Sequence, residues 1–290
     1  MIQIEQDIFI EDTFKGVTVG GLIFPHGTIM IDAPLRVEEG RAWQSMLLNQ
    51  RRGSNRLLVL LDAHPDRTLG SRGMDCTILA HKNTSEVFRQ RPMIFKGFNQ
   101  ESGAVWETYT EAIGMRWAIP DITFLDQMCM HWGGADLILE YHPGPSSGSI
   151  WAIIPDLQII FVGDTVVINQ PVFLEDADLD QWLEALELLK SDYMSYRIIS
   201  ARGGITDITG VRAQIRYINR IKKGLDKLAD QGAQPESTGK LVNPLLRGLS
   251  FPDEWRDVYA QRLRHGLMYY YMTHYDVAKV ELDEQEEGAE

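Results

Sequence analysis

Six consecutive positions concentrate the reactive side chains of this chain. In Leu-Leu-Asp-Ala-His-Pro-Asp-Arg-Thr-Leu-Gly, residues 60–70, an apolar run gives way to Asp62, His64, Asp66 and Arg67. Alternating carboxylate oxygens and an imidazole nitrogen after a strand are what a hydrolytic metal site needs from its ligand loop. Arg67 breaks the pattern, because a guanidinium offers no lone pair and stays protonated. The other polar residues at predicted strand ends are Asp32, His142, Asp164 and the pair Arg202-Gly203. Loops on a rigid scaffold are the usual place for chemistry.

The elements that must position these groups can be read from patterning. Residues 7–12 and 17–32 predict antiparallel strands with a turn at Pro25-His26-Gly27. Residues 37–50 predict an amphipathic helix ending before Arg51-Arg52-Gly53. Asn55–Asp62 is a continuous apolar run, as in a strand covered on both faces. Thr77–His81 repeats it, and Asn83-Thr84-Ser85 predicts the start of a helix. Pro92–Met130 has scattered aromatics and no clean period; it is expected to be a helical insertion with a short strand near residues 122–126. Strands return at residues 136–142, 149–155 and 158–164. Asp178 caps a helix whose Leu179, Trp182, Leu183, Leu186 and Leu189 share a face. A strand at residues 196–204 precedes a long helix with the apolar stripe Ile208, Val211, Ile215, Ile218, Leu225 and Leu228. A last helical segment covers residues 253–275.

Composition narrows the class. The chain has 290 residues, 44% hydrophobic and 24% charged, enough for a sizeable core. A net charge of −13 argues against nucleic acid, which needs a basic face. No signal peptide or membrane span is read at the N-terminus or elsewhere, so a cytoplasmic protein without membrane attachment is expected. Cys76 and Cys129 have no ligand-like spacing and are expected to be reduced core residues.

The order of motifs resembles the metallo-β-lactamase fold superfamily from about Val17 to Leu228. Ile-Met-Ile-Asp at 29–32 resembles its early strand ending in Asp, and residues 61–67 stand where it has T-H-x-H-x-D-H. Pro143-Gly144, then Gly148-Ser149, a strand pair and Val162-Gly163-Asp164 resemble P-G-H-T-x-G-S followed by the bridging aspartate. Ser200-Ala201-Arg202-Gly203 stands in place of P-G-H-G. The resemblance implies an α/β fold, an αββα sandwich, expected as a domain at 1–232; patterning adds a C-terminal helical extension at 233–278, and the acidic composition of 279–290 predicts a disordered tail. Carried over residue by residue, the ligand positions fall on Asp62, His64, Asp66, Arg67, Pro145, Asp164 and Arg202. Arg67 and Arg202 thereby remove two of the four ligands of the second metal site. They are expected to hold Asp66 and Asp164 in a salt-bridge cluster instead.

Three functions are compatible with this set. The first is a metal-free ligand-binding or regulatory protein without a cofactor, whose pocket holds Asp62, Arg67, Asp164, Arg202 and Ser146 and accepts a small anionic molecule at the arginines. The second is a hydrolase of an ester, thioester or amide with one zinc, manganese or iron ion on Asp62, His64, Asp164 and, swinging in, His142. The third is a metal-free hydrolase with His64 as general base beside Asp66. Gly144–Gly148 matches G-x-S-x-G around Ser146, but a strand rather than a helix follows, so the match is read as accidental. The basic residues Arg212, Arg216, Arg220, Lys223 and Lys227 are read as a solvated helix face. Tyr269-Tyr270-Tyr271 suits either a buried helix face or the interface of a homo-oligomer. Specificity is expected in the insertion at 92–130.

Overall fold

The computed structural model describes residues 1–50, 53–96 and 102–275. The N-terminal half builds β1 (Ile2–Glu5), β2 (Ile8–Glu11), β3 (Val19–Phe24), β4 (Gly27–Ile31), α1 (Val37–Leu48), β5 (Asn55–Leu60), β6 (Thr77–His81), α2 (Lys82–Gln90) and β7 (Ile122–Phe124). The C-terminal half follows with β8 (Gln127–Met130), β9 (Leu137–Tyr141), β10 (Ile150–Ile154), β11 (Ile159–Phe161), α3 (Leu179–Asp192), β12 (Arg197–Ser200), β13 (Gly204–Thr206), α4 (Ile208–Ala229), α5 (Val242–Leu246) and α6 (Arg256–His274). The first sheet runs β1 to β7 in chain order, and the second runs β13-β12-β11-β10-β9-β8.

Side-chain alternation assembles four layers from these pieces. Leu57, Val59 and Leu61 of the first sheet join Leu139, Ala152, Ile154 and Phe161 of the second in one core between the sheets. Leu58 and Leu60 face the other way, into a core with Trp43 and Leu47 of α1 and Phe88 of α2. Trp151, Ile153 and Ile160 likewise pack against Trp182 of α3, Ile218 of α4 and Leu263 and Leu267 of α6. Strand β5 is therefore apolar from Leu57 to Leu60, where both its faces are covered, and polar at its exposed start, Asn55-Arg56. The result is the expected αββα sandwich, with α5 and α6 added to the helical layer over the second sheet. The acidic tail at 279–290 lies outside the described residues, as do Arg51 and Arg52.

Two local expectations need correction. Among the described residues of the 92–130 insertion there is no α-helix, only 3-10 turns at Val105–Thr108 and Thr110–Ala112 and the strands β7 and β8. Its aromatics Phe95, Trp106 and Trp117 are buried together in the core with Trp43 and Phe88, without the period that would drive an amphipathic helix. Helix α2 begins at Lys82, and its cap is His81, whose Nδ1 accepts the Asn83 N–H at 3.1 Å. Asn83 and Thr84 are used differently: they donate to the carbonyls of Ser147 and Gly148 and so pin the loop ahead of β10.

That loop depends on one glycine. Gly144 has φ +140°, and a Cβ on it would lie 2.5 Å from Trp182 Cα. Gly144→Ala is expected to cost roughly 2 kcal/mol or more, from backbone strain plus displacement of α3. Urea denaturation checks it; a variant as stable as the parent would show that this approach is not required.

Candidate functional site

The site forms where strands of both sheets end on the same side. Asp32 follows β4 and has φ +57°, a left-handed conformation that aspartate tolerates better than most residues. Its Oδ1 accepts the Leu61 N–H at 2.9 Å, and Oδ2 takes Arg67 Nη1 at 2.8 Å. After β5, Asp62 closes an Asx turn on the His64 N–H at 2.9 Å, and its Oδ2 lies 2.8 Å from His64 Nδ1. A 3-10 turn at Pro65–Arg67 then brings Asp66 and Arg67 inward. From the second sheet come Asp164, in the turn Gly163–Thr165 after β11, and Arg202, after β12.

These groups close on one another. Arg202 holds Asp66 with two bonds, Nη1 to Oδ2 at 2.6 Å and Nη2 to Oδ1 at 3.1 Å, and donates from Nε to Asp164 at 3.0 Å. Arg67 donates to Asp32 and Asp62, and its Nη2 lies 3.3 Å from Asp164 Oδ1. Arg67 is 0% exposed, so its charge has no solvent to fall back on. Four carboxylates (Asp32, Asp62, Asp66, Asp164) thus surround two guanidiniums (Arg67, Arg202), leaving two negative charges in excess if all are ionised and His64 is neutral.

The proton affinities follow from this geometry. Burial raises the Asp164 pKa, but Arg202, Arg67 and His64 outweigh it and hold it low. Asp62 is likewise held well below the usual carboxylate range, against burial, by Arg67 and His64. At Asp32 burial wins over Arg67 and pushes the carboxyl up to about 6. Burial pulls the His64 imidazolium down, yet Asp62 and Asp164 overcome this, and it ends above the ordinary histidine value.

Of the residues singled out in the sequence, Asp62, His64, Asp66, Arg67, Asp164 and Arg202 come together. Two do not join them. His142, expected as a ligand swinging in, stacks on Trp151 at 3.6 Å and pairs with Glu140 at 3.1 Å. Trp151 belongs to the core under α3, so His142 faces the helices instead. Ser146 is buried, its Oγ 2.9 Å from Ser149 Oγ, and strand β10 follows it rather than the helix a nucleophile elbow requires. Most donors of the two arginines are directed at the chain's own carboxylates, while Arg67 Nε is buried without a hydrogen-bond partner.

Other groups were not foreseen. Asp32 was legible as a strand-end acid but not as a partner of Arg67. Trp106 and Phe173 stand over His64 with ring centroids at 6.3 and 5.3 Å. Arg262 of α6 is buried and lies on Phe173 at 4.1 Å, beside Arg202, which lies on the same ring at 4.8 Å. Burial and Arg202 lower its pKa to about 10, and it donates to Gln170 Oε1 and the Pro171 carbonyl, both at 3.1 Å.

Asp62, His64 and Asp164 each place one potential ligand atom within 4.8 Å of the others, and Asp164 Oδ1 is a buried acceptor without a hydrogen bond. Among the described residues Cys129, His131 and Asp136 form a second such group, on the β8–β9 hairpin. Cys129 is exposed rather than a core residue.

Comparison with known proteins agrees with this architecture. A family model described as the metallo-beta-lactamase superfamily matches residues 75–196. Among solved structures, a metallo-beta-lactamase from Pontibacter korlensis aligns with TM-score 0.58 and 17% identity, over 75% of this chain and 97% of that one. The sec-alkylsulfatase Pisa1 from Pseudomonas sp. aligns with TM-score 0.69 and 13% identity, over 97% of this chain but 51% of that one. This chain thus spans about half the length of the alkylsulfatase. A double mutant of that sulfatase aligns with TM-score 0.72 and 12% identity. No curated protein sequence matches. The chain is a metallo-β-lactamase-fold protein.

The buried network makes a sharp demand on stability. Arg67→Met leaves Asp32 and Asp62 without their cation and is expected to cost about 3–5 kcal/mol in urea denaturation. Arg67→Lys should recover only part, because one ammonium cannot reproduce the planar fork. A methionine variant within about 0.5 kcal/mol of the parent would mean the acids are neutralised in another way.

Proposed function

We propose that this chain is a metal-independent ligand-binding or regulatory protein built on a hydrolase fold. Arg67 carries this reading. Its guanidinium, fully buried, bonds Asp32 and Asp62 and lies 3.3 Å from Asp164 Oδ1. A divalent ion drawn to Asp62 and Asp164 would meet a fixed like charge at that distance, and a guanidinium cannot itself ligate. With Arg67 and Arg202 buried and turned mainly to carboxylates, the group accessible to a ligand is His64. Its side chain is 14% exposed, against 0–5% for the residues paired around it. Asp62 and Asp164 favour its cationic form, so a small carboxylate under Trp106 and Phe173 is the chemistry the site accepts. An imidazolium there supplies charge and one N–H, while the two rings exclude water around the bond.

A second reading, a mononuclear hydrolase of an ester, thioester or amide, is favoured by the unbonded Asp164 Oδ1 and the convergence of Asp62, His64 and Asp164. These three residues would hold the ion. Zinc, manganese or iron bound there would lower the pKa of a bound water. The oxygen-rich set leans toward the harder ions.

Elemental analysis of protein purified without chelator, before and after incubation with zinc, manganese and iron, separates the two. The first reading expects far less than one ion per chain throughout, together with thermal stabilisation by acetate that His64→Ala removes. One ion per chain, lost in Asp164→Asn, would replace it with the second.

A further inference from the structure

The segment Val167–Gln170 has two neighbours. On one side it pairs with the Arg202 backbone, through a Val167–Arg202 bridge and an Ile168 N–H donated to the Arg202 carbonyl at 2.9 Å. It also lines a cleft of about 510 Å³ whose other wall is the first half of α4. That helix buries two polar residues there, Gln214 at 3% and Tyr217 at 6% exposure. Neither is spent. Gln214 Oε1 accepts the Val167 N–H at 3.3 Å, which fixes the amide and leaves Nε2 as a buried donor without a partner. Tyr217 Oη also has no partner. Burial pushes its pKa up, so the phenol keeps its proton and can donate.

At the exposed rim stand Arg216 and Arg220. Among the described residues no carboxylate pairs with either; Arg220 donates to the Pro244 carbonyl at 2.7 Å. In a chain of net charge −13, two guanidiniums on one cleft without a carboxylate partner among the described residues are a local reversal of sign. The residues lining this space therefore bring together donors, the buried amide N–H and phenol O–H and the guanidinium N–H groups of the rim, beside the neutral side chains of Asn169 and Thr206. Buried donors left without acceptors are rare in native structures and ask what satisfies them. Water could serve the amide and the phenol, but it would not answer the two charges. A phosphate offers several acceptor oxygens in different directions and matches the guanidinium fork. The volume lies in the range of small-molecule sites, and Val167, Ile168, Ala213 and Leu249 supply an apolar wall. A bare phosphate would leave that wall unused.

We propose that this cleft is a binding site for a small organic phosphate, separate from the His64 pocket. Its elements are the rim charges of Arg216 and Arg220 and the inner donors Gln214 Nε2 and Tyr217 Oη.

Isothermal titration calorimetry on the full chain tests it with glycerol 3-phosphate, inorganic phosphate and glycerol as probes. Glycerol 3-phosphate should bind more tightly than inorganic phosphate, and glycerol should give no heat. Arg216→Ala, a surface change, should weaken glycerol 3-phosphate by about tenfold. Gln214→Leu, which keeps the volume and removes the buried donor, should weaken it similarly, and His64→Ala should leave it unchanged. The proposal is overturned if neither phosphate binds, if inorganic phosphate alone binds, or if Arg216→Ala has no effect. Loss of binding in His64→Ala would move the anion to the other pocket and also overturn it.

Discussion

A guanidinium with no access to water can exist only where carboxylates have been brought to it, and Arg67 imposes that condition on both sheets. Its partners Asp32 and Asp62 end β4 and β5 of the first sheet, while Asp164 follows β11 of the second. Arg202 repeats the arrangement from the opposite side, reaching from the end of β12 to Asp66 in the first-sheet loop. The two sheets are thus tied across their ends by charges that cannot be separated without leaving one buried and alone. Such a network contributes little net stability over an apolar core, since desolvation offsets most of the attraction. What it contributes is intolerance of misalignment: the strand ends must meet in this register.

The same network explains how four carboxylates can be gathered and buried at one end of the sandwich. Clustered carboxylates need positive charge nearby, and a divalent ion is one way to supply it. Arg67 and Arg202 supply about the same charge from the chain itself. The guanidiniums are not exchangeable, so their neutralisation of the acids does not depend on the supply of any ion. It also fixes the directions of the carboxylate lone pairs, which now point at N–H groups. Asp164 Oδ1, close to Arg67 but without a hydrogen bond, is the one acceptor of the group left imperfectly served.

Much of the scaffold was legible because burial is periodic. Strand β5 read as an apolar run since both its faces are covered, and Asp178 read as a cap and does accept the N–H groups of Asp180 and Gln181. The gathering of Asp62, His64, Asp66 and Asp164 was legible because the motif order placed them at strand ends. The insertion was not, because its 3-10 turns carry no period and its buried aromatics are irregularly spaced in the sequence. His142 could not be assigned, since a residue just past a strand end can turn to either face; here stacking on Trp151 decided it. Gln214 and Tyr217 lie inside the buried face of α4, where the apolar stripe gave no reason to expect polar groups.

Arg262 shows how far the site extends beyond its motifs. It sits on α6, in the helical extension, and nothing around it in sequence marks an arginine that turns inward. It nonetheless reaches Phe173, the ring that also carries Arg202 and stands over His64. Burial first, and then the like charge of Arg202 on the same ring, lower the Arg262 pKa to about 10. Neutral acceptors, Gln170 Oε1 and the Pro171 carbonyl, bear its donors, and the ring face adds a cation–π attraction. Gln170 also lines the second cleft, so one side chain connects the extension, the roof of the His64 pocket and the donor-lined cleft beside α4. The C-terminal helices therefore shape both pockets through Arg262, Phe173 and Gln170.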